Sequence, residues 1–306
     1  MRSFAAVLAL FAAALVGAAL LAYPAWLLVG LIDDQPIHRV MHRIAMLLVL
    51  FGLVWLVRRW QLADRQSLGL DLPRRQLWRQ IGVGIVAGVL VILPLIATLY
   101  ALDVRIAKPD LDVTAILSIK LVAAGLATGL VVALIEETFF RGVLFTAIRR
   151  ESGATLAVVL PSLLYASVHF LGGRLHVPAH EIEWSSGPAV LGAMFIKYGD
   201  PAAIVDSFLA LFAVGVLLAL VRLRTGSIAA CIGLHAAWVC VIAYTRETTL
   251  LQRTADANWL VGSYDGILGW GALGWMAVMA VLYVLVMRNM QSHGQSRAAL
   301  DPRREA

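Results

Sequence analysis

The sequence predicts an all-α polytopic membrane protein, a bundle of about eight transmembrane helices with both termini in the cytoplasm. Composition is the first reason: 61% of the 306 residues are hydrophobic and 14% are charged, where a soluble domain is about 45–50% apolar and about 25% charged. The second is the spacing of apolar runs, at approximately 4–30, 42–57, 80–102, 115–148, 154–171, 204–221, 226–244 and 266–287. Most approach the ~20 residues that a helix needs to cross a bilayer. The third is an asymmetry of Lys and Arg between alternate connections.

The first run opens as "MRSFAAVLALFAAALVGAALLA" and imitates a secretory signal. It continues through "YPAWLLVGLI" and is too long for a usual signal core, so it reads as an uncleaved first span. The second run is short. The third follows the basic connection that holds Arg58, Arg59, Arg65, Arg74, Arg75 and Arg79. The fourth and fifth are joined at a turn near Glu151–Gly153, beside Arg149 and Arg150. Arg222 and Arg224 separate the sixth and seventh. Counted over alternate connections, fifteen Lys/Arg fall on the side that carries Arg2 and the C-terminal tail, against eight on the other side. Positive charge marks the cytoplasmic face.

The chain divides into residues 1–114 with three N-terminal helices, a core of four helices over 115–245, an outer loop and last helix over 246–287, and a polar tail, 288–306, expected to be disordered. The longest connection, 172–203, lies on the outer side. His176 and His180 within it are four apart, but Pro178 between them argues against a regular helix, and a solvated loop is the simpler reading. Trp184 and Tyr198 suit an interfacial belt.

Several function classes drop out. The net charge of +6 comes from Arg in short loops between spans, so nucleic acid is not an expected partner. Cys231 and Cys240 point to opposite faces of one helix and cannot pair with each other. There is no G-x-S-x-G elbow and no H-E-x-x-H zinc helix.

What remains is the charge within the fourth run, "ALIEETFFRGVLF" at 133–145. Charge at the bilayer centre costs at least ~2.5–3.5 kcal/mol. Gly125, Gly129, Ala133, Glu137 and Arg141 share one helix stripe. Its small residues invite a second helix, and Glu137 and Arg141 continue it at ion-pair spacing. Glu136 lies about 100° away with no basic partner four residues on. His169, in the fifth run, lies roughly as far from the Glu151–Gly153 turn as Glu136 does, about 26 and 23 Å at 1.5 Å per residue. His235, in the seventh, enters from the same cytoplasmic side. A buried carboxylate beside an imidazole can deprotonate water, and a second imidazole can stabilise an oxyanion. That set suits peptide-bond hydrolysis.

Three motifs carry a resemblance. Glu136-Glu137-x-x-x-Arg141 resembles the EExxxR motif of the CPBP intramembrane proteases, also called the Abi or CAAX prenyl protease 2/lysostaphin resistance protein A-like family. Tyr165-x-x-x-His169 is similar to its FxxxH motif with Tyr for Phe, and His235 fits the third motif, HxxxN/D. The resemblance covers about residues 115–245 and implies an eight-span endopeptidase. Glu136 would activate water, His169 position it, and His235 serve the oxyanion, with Glu137, Arg141 and Tyr165 in support. The substrate implied is a membrane-associated polypeptide, and the composition suggests a bacterial inner (plasma) membrane. No cofactor is expected on the glutamate reading. The same Glu136, His169 and His235 are also a possible zinc ligand set.

One position departs from the pattern. Val239 stands four after His235, where the family has Asn or Asp, and a hydrocarbon cannot donate to an oxyanion. The indole N–H of Trp238 is the nearest substitute. The departure keeps open a weakened or inactive membrane scaffold, and intramembrane charge keeps open a proton-coupled transporter, although no inverted repeat is evident.

Overall fold

The computed structural model describes residues 1–173 and 175–299. Its long helices are α1 (Arg2–Val29), α2 (Ile37–Arg59), α4 (Arg74–Ala101), α5 (Ala115–Glu137), α6 (Phe145–Val168), α8 (Val205–Thr225), α9 (Ala229–Thr248) and α10 (Trp270–Ala299). The short α3 (Arg65–Leu68) and α7 (Ser186–Met194) sit in connections. A two-stranded antiparallel ladder pairs β1 (Arg105–Ala107) with β2 (Thr249–Leu251), Ile106 opposite Leu250.

Among the described residues, six helical runs are long and apolar enough to cross a membrane. One of them, Ala115–Val168, is 54 residues long, far beyond the ~20 needed for one crossing. It is not a single rod. Gly153 breaks it at φ 84°, ψ −179°, a conformation that only glycine adopts without strain, in the turn the sequence indicates. A π-helical segment, Thr138–Leu144, joins α5 to α6. The shorter apolar stretch Trp270–Val286 belongs to α10. The second run is longer than expected: α2 begins at Ile37, and the polar turn with His38, Arg39, His42 and Arg43 continues its helix.

Packing is set by small residues. α9 lies between α4 and α5 and packs on both extensively. A Cβ at Gly84 of α4 would fall 2.4 Å from the carbonyl oxygen of Ala230, and one at Gly129 of α5 would fall 2.5 Å from that of Ala236. The helices approach at backbone distance because these side chains are missing. α8 packs against α6 and α10, and α1 pairs with α2. In the outer connection, α7 packs on α1, while His176 and His180 stay exposed. Tyr198 donates to the carbonyl of Ser167, and Trp184 is exposed. Cys231 donates to the Leu218 carbonyl on α8, and Cys240 contacts Val122 of α5, on opposite sides of α9. The backbone of α10 continues as helix through Ala299, into the 288–306 tail, and residues 300–306 lie outside the described part.

Candidate active site

The stripe on α5 organises the site. Gly125, Gly129, Ala133 and Glu137 are all buried, and α9 lies against them. Contact of Gly129 with Ala236 places the neighbouring His235 beside Glu137. The Glu137 Oε1 accepts from His235 Nδ1 at 2.9 Å and from Arg141 Nη1 at 2.9 Å. All three residues are buried. Arg141 also donates to the Gly215 carbonyl of α8 at 3.2 Å, and its guanidinium lies 4.8 Å from the ring centre of Tyr165. Glu137 thus holds more than the Arg141 expected from the sequence: it orients His235. Since a carboxylate only accepts, His235 carries its proton on Nδ1 and turns Nε2 the other way.

Glu136 lies on that other side. Its Oε2 is 3.9 Å from His235 Nε2. That oxygen is buried with no hydrogen-bond partner in the protein, an acceptor left for a water or a ligand. His169 ends α6. Its Nδ1 donates to the Tyr165 carbonyl at 2.6 Å, and its ring lies 4.5 Å from that of Tyr165. Tyr165 is also 6.2 Å from the His235 ring. The aromatic side chain of the second motif is thus wedged between both histidines and Arg141.

Glu136, Tyr165, His169 and His235 line one cavity of about 400 Å³. Ile92, Leu95, Leu211, Val214 and Ile242 form apolar walls, and Arg246, Tyr264 and Asp265 also line it. These last three come from the end of α9 and the connection to α10. Sequence reasoning missed Tyr264 and Asp265 because no helical spacing ties that connection to the motifs, and Arg246, which lines the cavity from the same helix as His235, because no motif extends to it. Burial lifts the Tyr264 phenol to about 12. Burial also raises the Asp265 carboxyl, opposed by the amides of Leu268 and Ile267 and by Arg246 and Arg105.

The third motif needs a correction. Val239 does line the cavity, but Trp238 cannot replace the missing donor, because its indole N–H already donates to the Gly88 carbonyl of α4 at 3.1 Å. The zinc alternative concerns the same side chains. Both histidines anchor Nδ1 on an oxygen, as metal ligands do, yet no three His, Cys, Asp or Glu side chains among the described residues are grouped so that they could hold a metal ion.

Comparison with known proteins agrees with the motifs. No curated protein and no solved structure matches the chain. A family model described as type II CAAX prenyl endopeptidase Rce1-like matches residues 118–241, the stretch that runs from α5 into α9 and includes every residue of the three motifs. That stretch is therefore similar to the Rce1-like CAAX endopeptidases, in keeping with the CPBP resemblance.

Proposed function

We propose that the chain is an intramembrane endopeptidase that cleaves a membrane-associated polypeptide with water activated by Glu136. The observation that carries this reading is the unpartnered Glu136 Oε2, 3.9 Å from His235 Nε2, in a cavity that His169 also lines. A water about 2.8 Å from each of those two atoms forms a compact triangle with them. Glu136 takes its proton as the water oxygen bonds to the scissile carbonyl carbon. The carbonyl π electrons move onto oxygen. The C–N bond then breaks, and the proton held by Glu136 passes to the departing nitrogen. The anchored His169 ring positions the water through Nε2.

His235 serves the oxyanion on this reading, and its geometry sets a condition. Nδ1 already donates to Glu137, so donation from Nε2 requires the doubly protonated ring. Glu136 and Glu137 on its two sides balance that charge, while Arg141 balances Glu137. With Val239 giving no hydrogen bond, the imidazolium is the one side-chain donor that the third motif offers. Loss of a single oxyanion donor costs about 10²–10³ in rate, so a slow enzyme is expected.

The test is turnover of a quenched peptide by the purified protein in detergent. Wild type cleaves, and Glu136→Gln does not while keeping its melting temperature. Equal turnover by both proteins removes Glu136 as the base. Chelators leave the rate unchanged on this reading, and inhibition reversed by zinc would restore the metal alternative. Val239 favours one further reading, a non-catalytic scaffold, which binds the peptide without cleaving it.

A further inference from the structure

The hydroxyl of Tyr165 is unspent. The residue is 3% exposed and lines the cavity with Glu136, His169 and His235. Its ring is clamped. Phe140 meets it edge-on at 5.4 Å, the His169 and His235 rings flank it, and the Arg141 guanidinium lies over it. A phenylalanine would make every one of these contacts, so the hydroxyl is the group they leave unexplained. His169 takes only the backbone carbonyl of Tyr165, and the phenol oxygen makes no hydrogen bond among the described residues. A buried phenol finds a partner. The partner of this one is therefore a group that enters the cavity. Of the charged side chains around it, Glu136 acts on the phenol most strongly, which puts the hydroxyl close to the reacting atoms.

The oxyanion side of the same cavity has the opposite deficit. Val239 lines it with hydrocarbon, and the Trp238 indole is committed to Gly88. His235 donates there only as the doubly protonated ring. A donor without an acceptor and an oxyanion short of a donor thus share one space. Val239 lies one helical turn beyond His235, and the Tyr165 ring is 6.2 Å from that of His235, so both positions border the same imidazole.

Building on the endopeptidase reading, we infer that Tyr165 is a catalytic residue whose hydroxyl hydrogen-bonds the oxyanion, in place of a side-chain donor at position 239. The phenol keeps its proton throughout. Its hydrogen bond tightens as the carbonyl π electrons move onto oxygen and loosens when the C–N bond breaks and the carbonyl re-forms. A neutral donor also works with His235 singly protonated, which the contact of Nδ1 with Glu137 otherwise forbids. The hydroxyl then offsets the hydrocarbon at Val239.

The experiment uses full-length protein in detergent, as wild type, Tyr165→Phe, Val239→Asn and the double variant. Turnover is read on the quenched peptide. Binding is read on two labelled hexapeptides of Ala, Val and Leu, one plain and one with a phosphinate in place of the central amide, whose anionic oxygen stands for the oxyanion. Tyr165→Phe should melt like wild type and lose about 10²–10³ in kcat with little change in KM. Val239→Asn should gain little beside native Tyr165 but restore most of the lost turnover beside Phe, a coupling that independent sites do not show. Phosphinate affinity should fall about tenfold or more in Tyr165→Phe, and affinity for the plain peptide should not. Wild-type turnover in Tyr165→Phe overturns the donor and leaves the endopeptidase standing. A loss that Val239→Asn does not restore places the hydroxyl on the water or in packing, and overturns it equally. If wild type cleaves nothing, the endopeptidase reading fails and phosphinate binding judges the hydroxyl by itself. A phosphinate preference that Tyr165→Phe removes keeps Tyr165 as the donor; no preference, or one that survives the change, overturns it.

Discussion

The pair α1–α2 and the pair α8–α9 are both built from apolar helices of membrane-spanning length but live in different solvents. In α1 and α2 about a fifth of the membrane stretch, 22% in each, is buried, and mean hydropathy is 2.6 and 2.2. In α8 and α9 the buried share rises to 56% and 61%, while mean hydropathy falls to 2.1 and 1.3. The most buried helix is thus the least hydrophobic. A lipid-facing helix must present hydrocarbon around most of its circumference, whereas α9 is surrounded by α4, α5 and α8 and can carry His235, two cysteines and small residues. The candidate chemistry sits where protein, rather than lipid, is the surrounding medium, and an ionised group there finds partners.

The sharpest way to test that contrast is to alter single groups of the buried cluster. Glu136→Gln keeps the shape and removes the base, and a positioned general base contributes about 10²–10⁴ in rate. Peptide turnover should fall by that factor with little change in detergent melting. Glu137→Ala and Arg141→Ala act on the other side of the cluster. Each strands a buried charge, at a cost of about 3–5 kcal/mol, and thermal unfolding in detergent should show it. The Glu137 change also frees the His235 ring, so turnover should fall with it. Unchanged melting in both variants would show that the pair braces nothing.

How much of this was legible in the sequence follows from which relations are local. Apolar runs, the break at Gly153 and the stripe Gly125–Gly129–Ala133–Glu137 depend on spacing along one helix, and spacing is what a sequence displays. Depth counting from the turn picked out Glu136, His169 and His235, and the structure places all three around one cavity. The rest depends on neighbours. Whether the Trp238 indole is available depends on Gly88 of α4, 150 residues earlier. Gly84 and Gly88 form a close-approach pair of their own, but nothing along α4 says which helix they meet. The π-helical segment after Glu137 carries no residue pattern distinct from α-helix, although it changes which side chains face inward. Tyr264 and Asp265 join the site only because the connection after β2 folds back over the cavity.

The gentlest test of the same contrast compares two glycines. A Cβ at Gly52 of α2 would overlap Leu10 of α1, at 2.1 Å from Cδ1, and all its near atoms are the outer end of that side chain. Leu10 is only partly buried and can rotate toward lipid. Alanine is about 1 kcal/mol better than glycine within a helix, so Gly52→Ala should leave the melting temperature unchanged or slightly higher. Gly129→Ala gains the same propensity but meets the Ala236 carbonyl oxygen at 2.5 Å, and backbone cannot rotate away. α9 must shift, at about 1–3 kcal/mol for overpacking, and His235 shifts with it. Gly129→Ala should therefore lower both melting temperature and turnover while Gly52→Ala lowers neither. If both alanines were tolerated alike, α9 would not be held at backbone distance from α5, and the placement of His235 beside Glu137 would lose its support.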